Sequence, residues 1–179
     1  MKIVAITDPG HPDMPFFQAV YEDAFPVDEQ CPWERMAAFL HVPDHHFRLQ
    51  GVYLDDGTPV GFNAYSEFGH YLYGIYLAFD PTHRGAGYGH HVLQAFHKQY
   101  PDRLLFGEIE YPDTPKARQR CDFYRNLGFH ITDIGFVQPP LRPGLHPVPY
   151  LIISYPDPLS PGDTEAIREI LTTVIYRGR

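Results

Sequence analysis

A strand, a glycine-rich turn and a helix follow one another near the middle of the chain, and no other segment constrains the fold as strongly. An apolar, aromatic run from Tyr71 to Phe79 stops at Asp80-Pro81. A basic turn with three glycines, Arg84 to Gly89, leads into a helical pattern from Tyr88 to Tyr100. Glycines allow positive φ and close backbone approach, and the first amides of a helix have no intrahelical acceptor. The segment therefore predicts a phosphate-binding turn at a helix N-terminus, with Arg84 as a charge-assisted donor.

The spacing of the glycines excludes two common phosphate motifs. A P-loop needs Gly-x-x-x-x-Gly-Lys-Ser/Thr, and no lysine follows the glycines of this turn. A Rossmann turn needs Gly-x-Gly-x-x-Gly, but the sixth position counted from Gly85 is His90. The remaining pattern is Arg-x-x-Gly-x-Gly, formed by Arg84, Gly87 and Gly89. The alternative interpretation is a surface turn with a solvated arginine.

Length and composition indicate a single domain over residues 1–179, long enough to bury its own core. Hydrophobic residues make up 44% of the chain and aromatic residues 15%, which is typical of a packed protein and not of a disordered one. The net charge of −8 argues against nucleic-acid binding, because no basic stripe is present to neutralise phosphates. The same charge favours cationic partners such as amines.

Three observations predict the compartment. Cys31 and Cys121 lie within helical patterns and are expected to be small buried residues of a cytosolic protein, not a disulfide. The N-terminal residues lack the long apolar segment of a signal peptide and are predicted to form a first strand. No apolar run approaches the roughly 20 residues of a membrane span. We therefore expect a soluble, cytoplasmic protein that does not bind membranes.

Hydrophobic periodicity predicts the element order β-α-α-β-β-β-α-β-α-β-β, followed by one more helix. Strands are predicted at 47–54 and 58–68, joined by a hairpin turn at Asp55-Asp56-Gly57, and then at 71–79, 104–110, 129–137 and 149–155. Helices are predicted after an Asp13 cap, from Pro32, and over 88–100 and 116–127.

The final helix carries an apolar face formed by Ile167, Ile170, Leu171, Val174 and Ile175. This face could pack either on the domain itself or on a second subunit, so a homodimer is one of two expectations.

The Arg84, Gly87 and Gly89 pattern resembles the pyrophosphate-binding motif of the GNAT superfamily of N-acetyltransferases, which bind acetyl-CoA. A second segment, Phe123 to Phe129, is similar to the aromatic-Tyr-x-x-x-Gly-Phe ending of that family's next helix. The resemblance covers Met1 to Tyr155. It implies an α/β (α+β) fold of GNAT type, with a mixed, mostly antiparallel sheet flanked by helices and a C-terminal helical extension over residues 156–179.

The resemblance also implies acetyl-CoA (CoA) as co-substrate. A backbone N–H near Leu77 or Ala78, where the family's strand has a bulge, would polarise the thioester carbonyl. Backbone groups of Leu77 and Phe79 would pair with the pantetheine arm like an added strand. The residues implied to bind the cofactor are Leu77, Ala78, Phe79, Arg84, Gly85, Ala86, Gly87, Tyr88 and Gly89.

Tyr124 would then donate a proton, or a hydrogen bond, to the departing thiolate. A tyrosine pKa near ~10 and a thiol pKa near ~8.5 differ by roughly 1.5 units, so full transfer costs only about 2 kcal/mol. The alternative is a core tyrosine on a helix face. Many family members carry an asparagine seven residues before this tyrosine, and here that position is Ala117.

Acyl transfer to an amine also needs a base, because an alkylammonium of pKa ~10.4 is only about one part in 2,500 neutral at pH 7. Glu108 and Glu110 lie two apart on one strand, share a face and are the first candidates. Glu67 and His70 are rivals. No metal site is expected, since the adjacent pairs His45-His46 and His90-His91 point apart.

The sequence thus favours an N-acetyltransferase that moves an acetyl group from acetyl-CoA to a primary amine of a small molecule or peptide by direct attack on the thioester. Two alternatives stay open: a non-catalytic acyl-CoA-binding sensor or regulatory module, and an unrelated nucleotide- or phosphate-binding enzyme. The acceptor amine and the acyl-chain length are not specified by these motifs.

Overall fold

A computed structural model describes residues 1–42 and 46–177 of the chain. Over these residues seven strands form one sheet: β1 (Lys2–Ile6), β2 (Phe47–Tyr53), β3 (Pro59–Phe68), β4 (Tyr71–Phe79), β5 (Leu104–Glu110), β6 (His130–Gln138) and β7 (Val148–Tyr155). The α-helices are α1 (Met14–Ala24), α2 (Trp33–Ala38), α3 (Tyr88–Gln99), α4 (Pro115–Asn126) and α5 (Pro161–Ile170). Short 3-10 turns occupy Val27–Glu29 and Pro81–His83, and a π-helical turn occupies Leu171–Ile175.

The strands are arranged in the order β1-β2-β3-β4-β5-β7-β6. β4 and β5 pair in parallel and are connected by α3, while the other neighbouring strands pair antiparallel. A parallel pair needs a crossover connection, and a helix is its usual form. The mixed, mostly antiparallel sheet flanked by helices confirms the predicted fold class.

β4 and β5 are hydrogen-bonded over only part of their length. Their pairing ends where Gly74 lies opposite Gly107. Beyond this point β4 continues to Phe79, and β5 continues to Glu110 while remaining paired with β7. The two strands therefore part and open a cleft in the middle of the sheet.

Helices cover both faces of the sheet. On one face α1 and α2 pack over the N-terminal strands. Ile167 of α5 and Leu171 of the π-helical turn extend the same layer over the C-terminal strands. On the other face α3 and α4 pack through Phe96 and Cys121. Ile167 and Leu171 of the apolar face predicted for the last helix are thus buried on the domain itself, whereas Val174 of the same face is 48% exposed. The homodimer stays a prediction.

The order of the elements agrees with the sequence prediction, but the side-chain cap predicted for α1 was wrong. Asp13 precedes α1 without capping it, and its carboxylate instead accepts a hydrogen bond from the Tyr53 hydroxyl at 2.9 Å. The last α-helix ends at Ile170, and the π-helical turn carries the chain on to Tyr176.

The burial predicted for the two cysteines is confirmed, but Cys31 lies before α2 and not within a helix. Cys31 and Cys121 are both buried, and neither forms a disulfide. Cys121 packs in the cluster beneath α3 and α4, where it acts as a small apolar side chain. Within the described residues, the helices are too short or too polar to cross a membrane.

Truncating the buried face of α5 should destabilise the whole domain. Ile167 is 0% exposed, so Ile167→Ala leaves a cavity and should lower the free energy of unfolding by about 2–4 kcal/mol. Val174, 48% exposed in the π-helical turn, is the matched control, and Val174→Ala should change stability by less than about 0.5 kcal/mol. Urea denaturation measures both. Equal effects would contradict the packing of α5 on the sheet.

Candidate active site

A cleft of about 570 Å³ occupies the space where β4 and β5 part. The turn between β4 and α3 and the Tyr124 side of α4 line the cleft. Carboxylates of β5, the carboxylate of Glu29 and the Tyr176 side chain also line it. The two segments singled out in the sequence, Arg84–Gly89 and Phe123–Phe129, are therefore brought to one cavity.

The turn before α3 adopts a conformation that requires glycine. Gly85 and Gly87 have φ values of 79° and 80°, in the left-handed region that other residues avoid. A Cβ at either position would meet no atom within 4 Å, so the backbone conformation and not crowding selects glycine there. Gly89 differs, because its Cβ would lie 3.1 Å from the Phe123 ring. The first-turn amides of α3 face outward without intrahelical acceptors.

Arg84 is held in place by two contacts. Its Nε donates to the Phe79 carbonyl at 2.9 Å, and its guanidinium pairs with the carboxylate of Asp23 near the end of α1. Both charged side chains are about half exposed, which keeps the guanidinium accessible from the cleft. The predicted alternative of a purely solvated arginine does not describe this side chain.

The backbone of β4 presents two residues to the cleft. The Asp80 amide donates to the Val60 carbonyl of β3 at 2.9 Å, and the direction of backbone groups alternates along an antiparallel strand. Leu77 and Phe79 therefore direct their N–H and C=O groups away from β3, toward the gap left by β5. Ala78 faces β3.

The β4 bulge lies elsewhere than predicted. The register with β3 shifts between Ala64 and Tyr65, where Tyr76 and Gly74 are the partners, so Ile75 is the extra residue. The sequence interpretation had the bulge near Leu77 or Ala78, whereas the structure has it two to three residues earlier. Residue spacing alone does not show which position of an extended strand is left unpaired.

Tyr124 lies on α4 between two aromatic neighbours. The Phe123 and Phe129 rings each contact its ring at 5.2 Å between centroids. Within residues 1–42 and 46–177, no group hydrogen-bonds its hydroxyl, which lines the cleft. Burial raises the pKa of this phenol above its usual value, so it remains protonated at neutral pH. It is therefore a hydrogen-bond donor, and full proton transfer from it costs more than a free tyrosine would require.

Glu108 and Glu110 lie on one face of β5, as predicted, and both line the cleft. Tyr73 and Tyr176 both donate hydrogen bonds to the Glu108 carboxylate. Burial raises its pKa to about 7, although the two phenols oppose the shift. Glu110 instead forms an ion pair with Arg120 of α4. The two candidates thus differ: Glu108 can exchange a proton near neutral pH, whereas Glu110 is occupied by a cation.

Glu29 is a cleft residue that sequence reasoning missed. It ends the Val27–Glu29 turn, and burial, reinforced by the nearby Glu110, raises its pKa to about 7. Tyr150 hydrogen-bonds its carboxylate, which opposes the shift. No periodicity or motif distinguishes this acid from its neighbours in the sequence, because a short turn has no face to predict.

The rival bases lie outside the cleft. Glu67 pairs with Arg48 at 3.2 Å and Arg103 at 2.8 Å, and neither Glu67 nor His70 lines the cavity. Ala86, predicted to bind the cofactor, is exposed on the turn and does not line it either.

The histidine pairs show no metal-binding arrangement in the part of the chain that the structure describes. The rings of His90 and His91 are 6.2 Å apart, and His91 Nδ1 lies 3.0 Å from the Gly87 carbonyl. The same described residues contain no cluster of three or more His, Cys, Asp or Glu side chains suited to a metal. Of the other pair, His45 lies outside the described residues.

Several solved structures share this architecture. A protein from Bacteroides thetaiotaomicron assigned to the GNAT acetyltransferases is 26% identical, with a TM-score of 0.87 and 98% of both chains covered. The ribosomal-protein-S18-alanine N-acetyltransferase of Escherichia coli is 14% identical, with a TM-score of 0.59 over 89% of this chain and 95% of that one. An aminoglycoside 6'-N-acetyltransferase in complex with coenzyme A is also 14% identical, with a TM-score of 0.61 over 89% and 100%.

No curated protein matches the sequence significantly. The statistical model of the acetyltransferase (GNAT) family matches residues 14–129, a span that includes the glycine turn, the parted strands, Glu108 and Tyr124. This match covers more than half of the chain and agrees with the sheet order and the cleft. The chain belongs to the acetyltransferase (GNAT) family.

Proposed function

We propose that this chain is an acetyl-CoA-dependent N-acetyltransferase that acts on a primary amine of a small molecule or peptide. One observation carries the proposal: a single cleft through the parted strands holds the glycine turn, an unengaged phenol and a protonatable carboxylate. Family membership supports acetyl transfer, and these three groups supply the parts of an attack by an amine on a thioester.

The acyl donor would be held by the turn and by β4. The free amides at the start of α3 and the Arg84 guanidinium are suited to a pyrophosphate, because aligned N–H groups and positive charge stabilise anions. Leu77 and Phe79 direct backbone groups into the gap, where an amide-containing pantetheine arm would pair with them as a strand does. The Leu77 N–H is our candidate for polarising the thioester carbonyl.

Glu108 is our candidate for the base. An alkylammonium of pKa ~10.4 is mostly protonated at neutral pH, which costs about 4.6 kcal/mol. A carboxylate with a pKa of about 7 is ionised in part at that pH and is a stronger base than an ordinary glutamate. It would take one ammonium proton, and the neutral nitrogen would attack the carbonyl carbon. As the C–S bond breaks, Tyr124 would donate its hydrogen bond or proton to the sulfur. The nitrogen would release its second proton to solvent, or to the Tyr124 oxygen once the phenol has given up its own proton, which leaves a neutral amide.

The acceptor would bind among carboxylates. Glu29, Glu108 and Glu110 all line the cleft together with Lys116 and Arg120, and the ion pair found there joins Arg120 to Glu110. Unpaired carboxylates in a partly buried cleft favour a cationic acceptor over a neutral or anionic one.

Isothermal titration with acetyl-CoA, followed by thiol release with a panel of primary amines, tests the proposal. We expect acetyl-CoA to bind and at least one amine to be acetylated. Absence of binding at millimolar acetyl-CoA would contradict the assignment of the cofactor. Binding without turnover across the whole panel would instead favour the non-catalytic acyl-CoA-binding module.

Adding a methyl group to the glycine turn should weaken acetyl-CoA binding. Gly87→Ala forces alanine into φ of 80° and places a Cβ where the phosphates would approach, so we expect a loss of affinity of about tenfold. Gly57→Ala is the matched control, since Gly57 has φ of 92°, equally open surroundings and a position in the β2–β3 hairpin. Both variants should lose similar stability. Equal acetyl-CoA affinities in the two would argue against the turn as the phosphate site.

Removing the Tyr124 hydroxyl should slow the chemical step without weakening the complex. Tyr124→Phe keeps the ring between its aromatic neighbours, so we expect kcat to fall about 100-fold while acetyl-CoA affinity is unchanged. Tyr100→Phe serves as control, because the Tyr100 hydroxyl bonds Tyr65 at 2.9 Å and Tyr100 itself does not line the cleft. Steady-state kinetics and titration separate the two quantities. A parallel loss of kcat and affinity would make Tyr124 a structural residue.

Burial of Glu108 should make stability depend on pH. Its pKa of about 7 in the fold lies above the ordinary value of 4.5, so the folded state holds the proton more tightly than the unfolded chain does. The free energy of unfolding should therefore fall as pH rises from about 4.5 to 7. Glu108→Gln removes this titration, and its stability relative to wild type should rise by about 2–3 kcal/mol between pH 5 and 8. If the free energies of unfolding of wild type and Glu108→Gln depend on pH in the same way, the pKa of Glu108 is not raised by folding.

A further inference from the structure

We infer that Tyr176 is a positioning residue for acetyl transfer: its phenol orients the Glu108 carboxylate, so that the C-terminal segment completes the acceptor side of the cleft. This inference rests on the proposed function, in which Glu108 is the base. The segment lies beyond residues 14–129, the span matched by the family model.

The contacts fix the carboxylate from two sides. The Tyr176 hydroxyl lies 3.1 Å from Glu108 Oε1 and 2.9 Å from Oε2, and the Tyr73 hydroxyl also donates to Oε2. A carboxylate has about four lone-pair positions, so two phenols restrain its rotation and leave positions free for an amine proton. Tyr176 and Glu108 both line the cleft that receives the acceptor.

A second acceptor competes for the same phenol. Gln138 Oε1 lies 3.2 Å from the Tyr176 hydroxyl, and Gln138 Nε2 donates to the Asp28 carbonyl at 3.1 Å. One O–H carries one proton, so a Tyr176 hydroxyl that donates to Gln138 donates less fully to Glu108. Removing the Gln138 acceptor should therefore strengthen the hydrogen bond from Tyr176 to Glu108, and removing the Tyr176 hydroxyl abolishes it.

The π-helical turn sets the direction of Tyr176. The Tyr176 amide donates to the Leu171 carbonyl at 2.9 Å, a wider loop than the α-helical one. One extra residue per turn rotates the following side chain by about 100° relative to a continued α-helix. Leu171, 0% exposed, anchors the turn, and the Tyr176 ring packs 5.7 Å from Phe136. The helix thus packs in the core up to Leu171, and the π-helical turn after it directs the Tyr176 hydroxyl toward Glu108.

Several titratable groups face Glu108 and enter its pH dependence. They come from every element around it: Tyr73 and Tyr76 from β4, Glu29 from the 3-10 turn, Tyr150 from β7, Tyr176 from the chain end, and Glu110 from β5 itself. Burial raises the pKa of Tyr73 and Tyr176 well above the ordinary value, so both remain hydrogen-bond donors throughout the neutral range. Donation stabilises the ionised carboxylate and lowers the pKa of Glu108.

The pH profile of kcat/KM for the amine tests the inference. Tyr176→Phe removes one donor to the carboxylate, so the acidic limb of the profile should move up by about one pH unit. At pH values below the limb, kcat/KM of the Tyr176→Phe variant should be about tenfold lower than that of wild type. At high pH the profiles of the two proteins should converge. The affinity for acetyl-CoA should not change. A limb that coincides with the wild-type limb would overturn the inference.

Tyr71→Phe is the matched control. Tyr71 also joins the sheet to the C-terminal region through its phenol, which donates to Asp163 of α5 at 2.9 Å, but it does not contact Glu108. A general loosening of α5 would move both profiles, whereas the proposed role predicts a shift for Tyr176→Phe alone. Equal shifts in the two variants would count against Tyr176 as a positioning residue.

A second variant and a second measurement keep the test decisive. Gln138→Leu removes the competing acceptor, so the acidic limb of its profile should move in the opposite direction, to lower pH. A shift to higher pH would contradict the inference.

The Glu108 pKa can also be read from carboxyl ¹³C NMR of labelled protein without any turnover. If wild type acetylates no amine, the proposed function fails, while the NMR comparison of wild type with Tyr176→Phe still decides the role of Tyr176.

Discussion

The interruption of hydrogen bonding between β4 and β5 is the constraint on which the rest of the site depends. Pairing stops at Gly74 and Gly107, although both strands continue. Backbone groups in the interior of a protein need partners, and the groups of Leu77 and the Phe79 N–H face the gap instead of a neighbouring strand. The Phe79 carbonyl already accepts a hydrogen bond from Arg84. Helices on both faces and the continued β5–β7 pairing hold the strands apart. The sheet thus provides, through its own backbone, the place where an extended ligand can bind.

The site also depends on buried carboxylic acids that can still exchange a proton near neutral pH. Burial disfavours the charged form of a carboxylate, and Glu29 and Glu108 both titrate near neutral pH as a result. Phenols on neighbouring strands and on the C-terminal segment supply hydrogen bonds to these acids. An apolar lining would have held the acids neutral, and a cationic one would have held them ionised. The tyrosine-rich lining lies between these extremes and allows a proton to be exchanged.

Local sequence predicted much of this structure, because local patterns have local causes. The order of strands and helices follows from apolar periodicity, and the shared face of Glu108 and Glu110 follows from the two-residue repeat of a strand. The turn before α3 was predictable because glycine at positive φ is a property of single residues.

The residues and local features that the sequence did not predict all depend on long-range contacts. Tyr176 reaches Glu108 across 68 residues of chain, and Glu29 comes from a turn with no period at all. The position of the β4 bulge depends on how β3 pairs with β4, and Asp13 is diverted from its helix by Tyr53 of a later strand. None of these contacts is encoded in the spacing of one segment, since each depends on where a second element comes to lie.

The ion pair between Arg84 and Asp23 has a consequence for how salt acts on the protein. A pair that is half exposed contributes at most about 1 kcal/mol, so a phosphate arriving at the turn can displace the Asp23 carboxylate cheaply. Arg84 then exchanges one anion for another instead of gaining a first one. Ionic strength weakens the old pair and the new one together. For a phosphate bound at this turn, the arginine's contribution to the affinity should accordingly vary less with salt than its full charge would suggest.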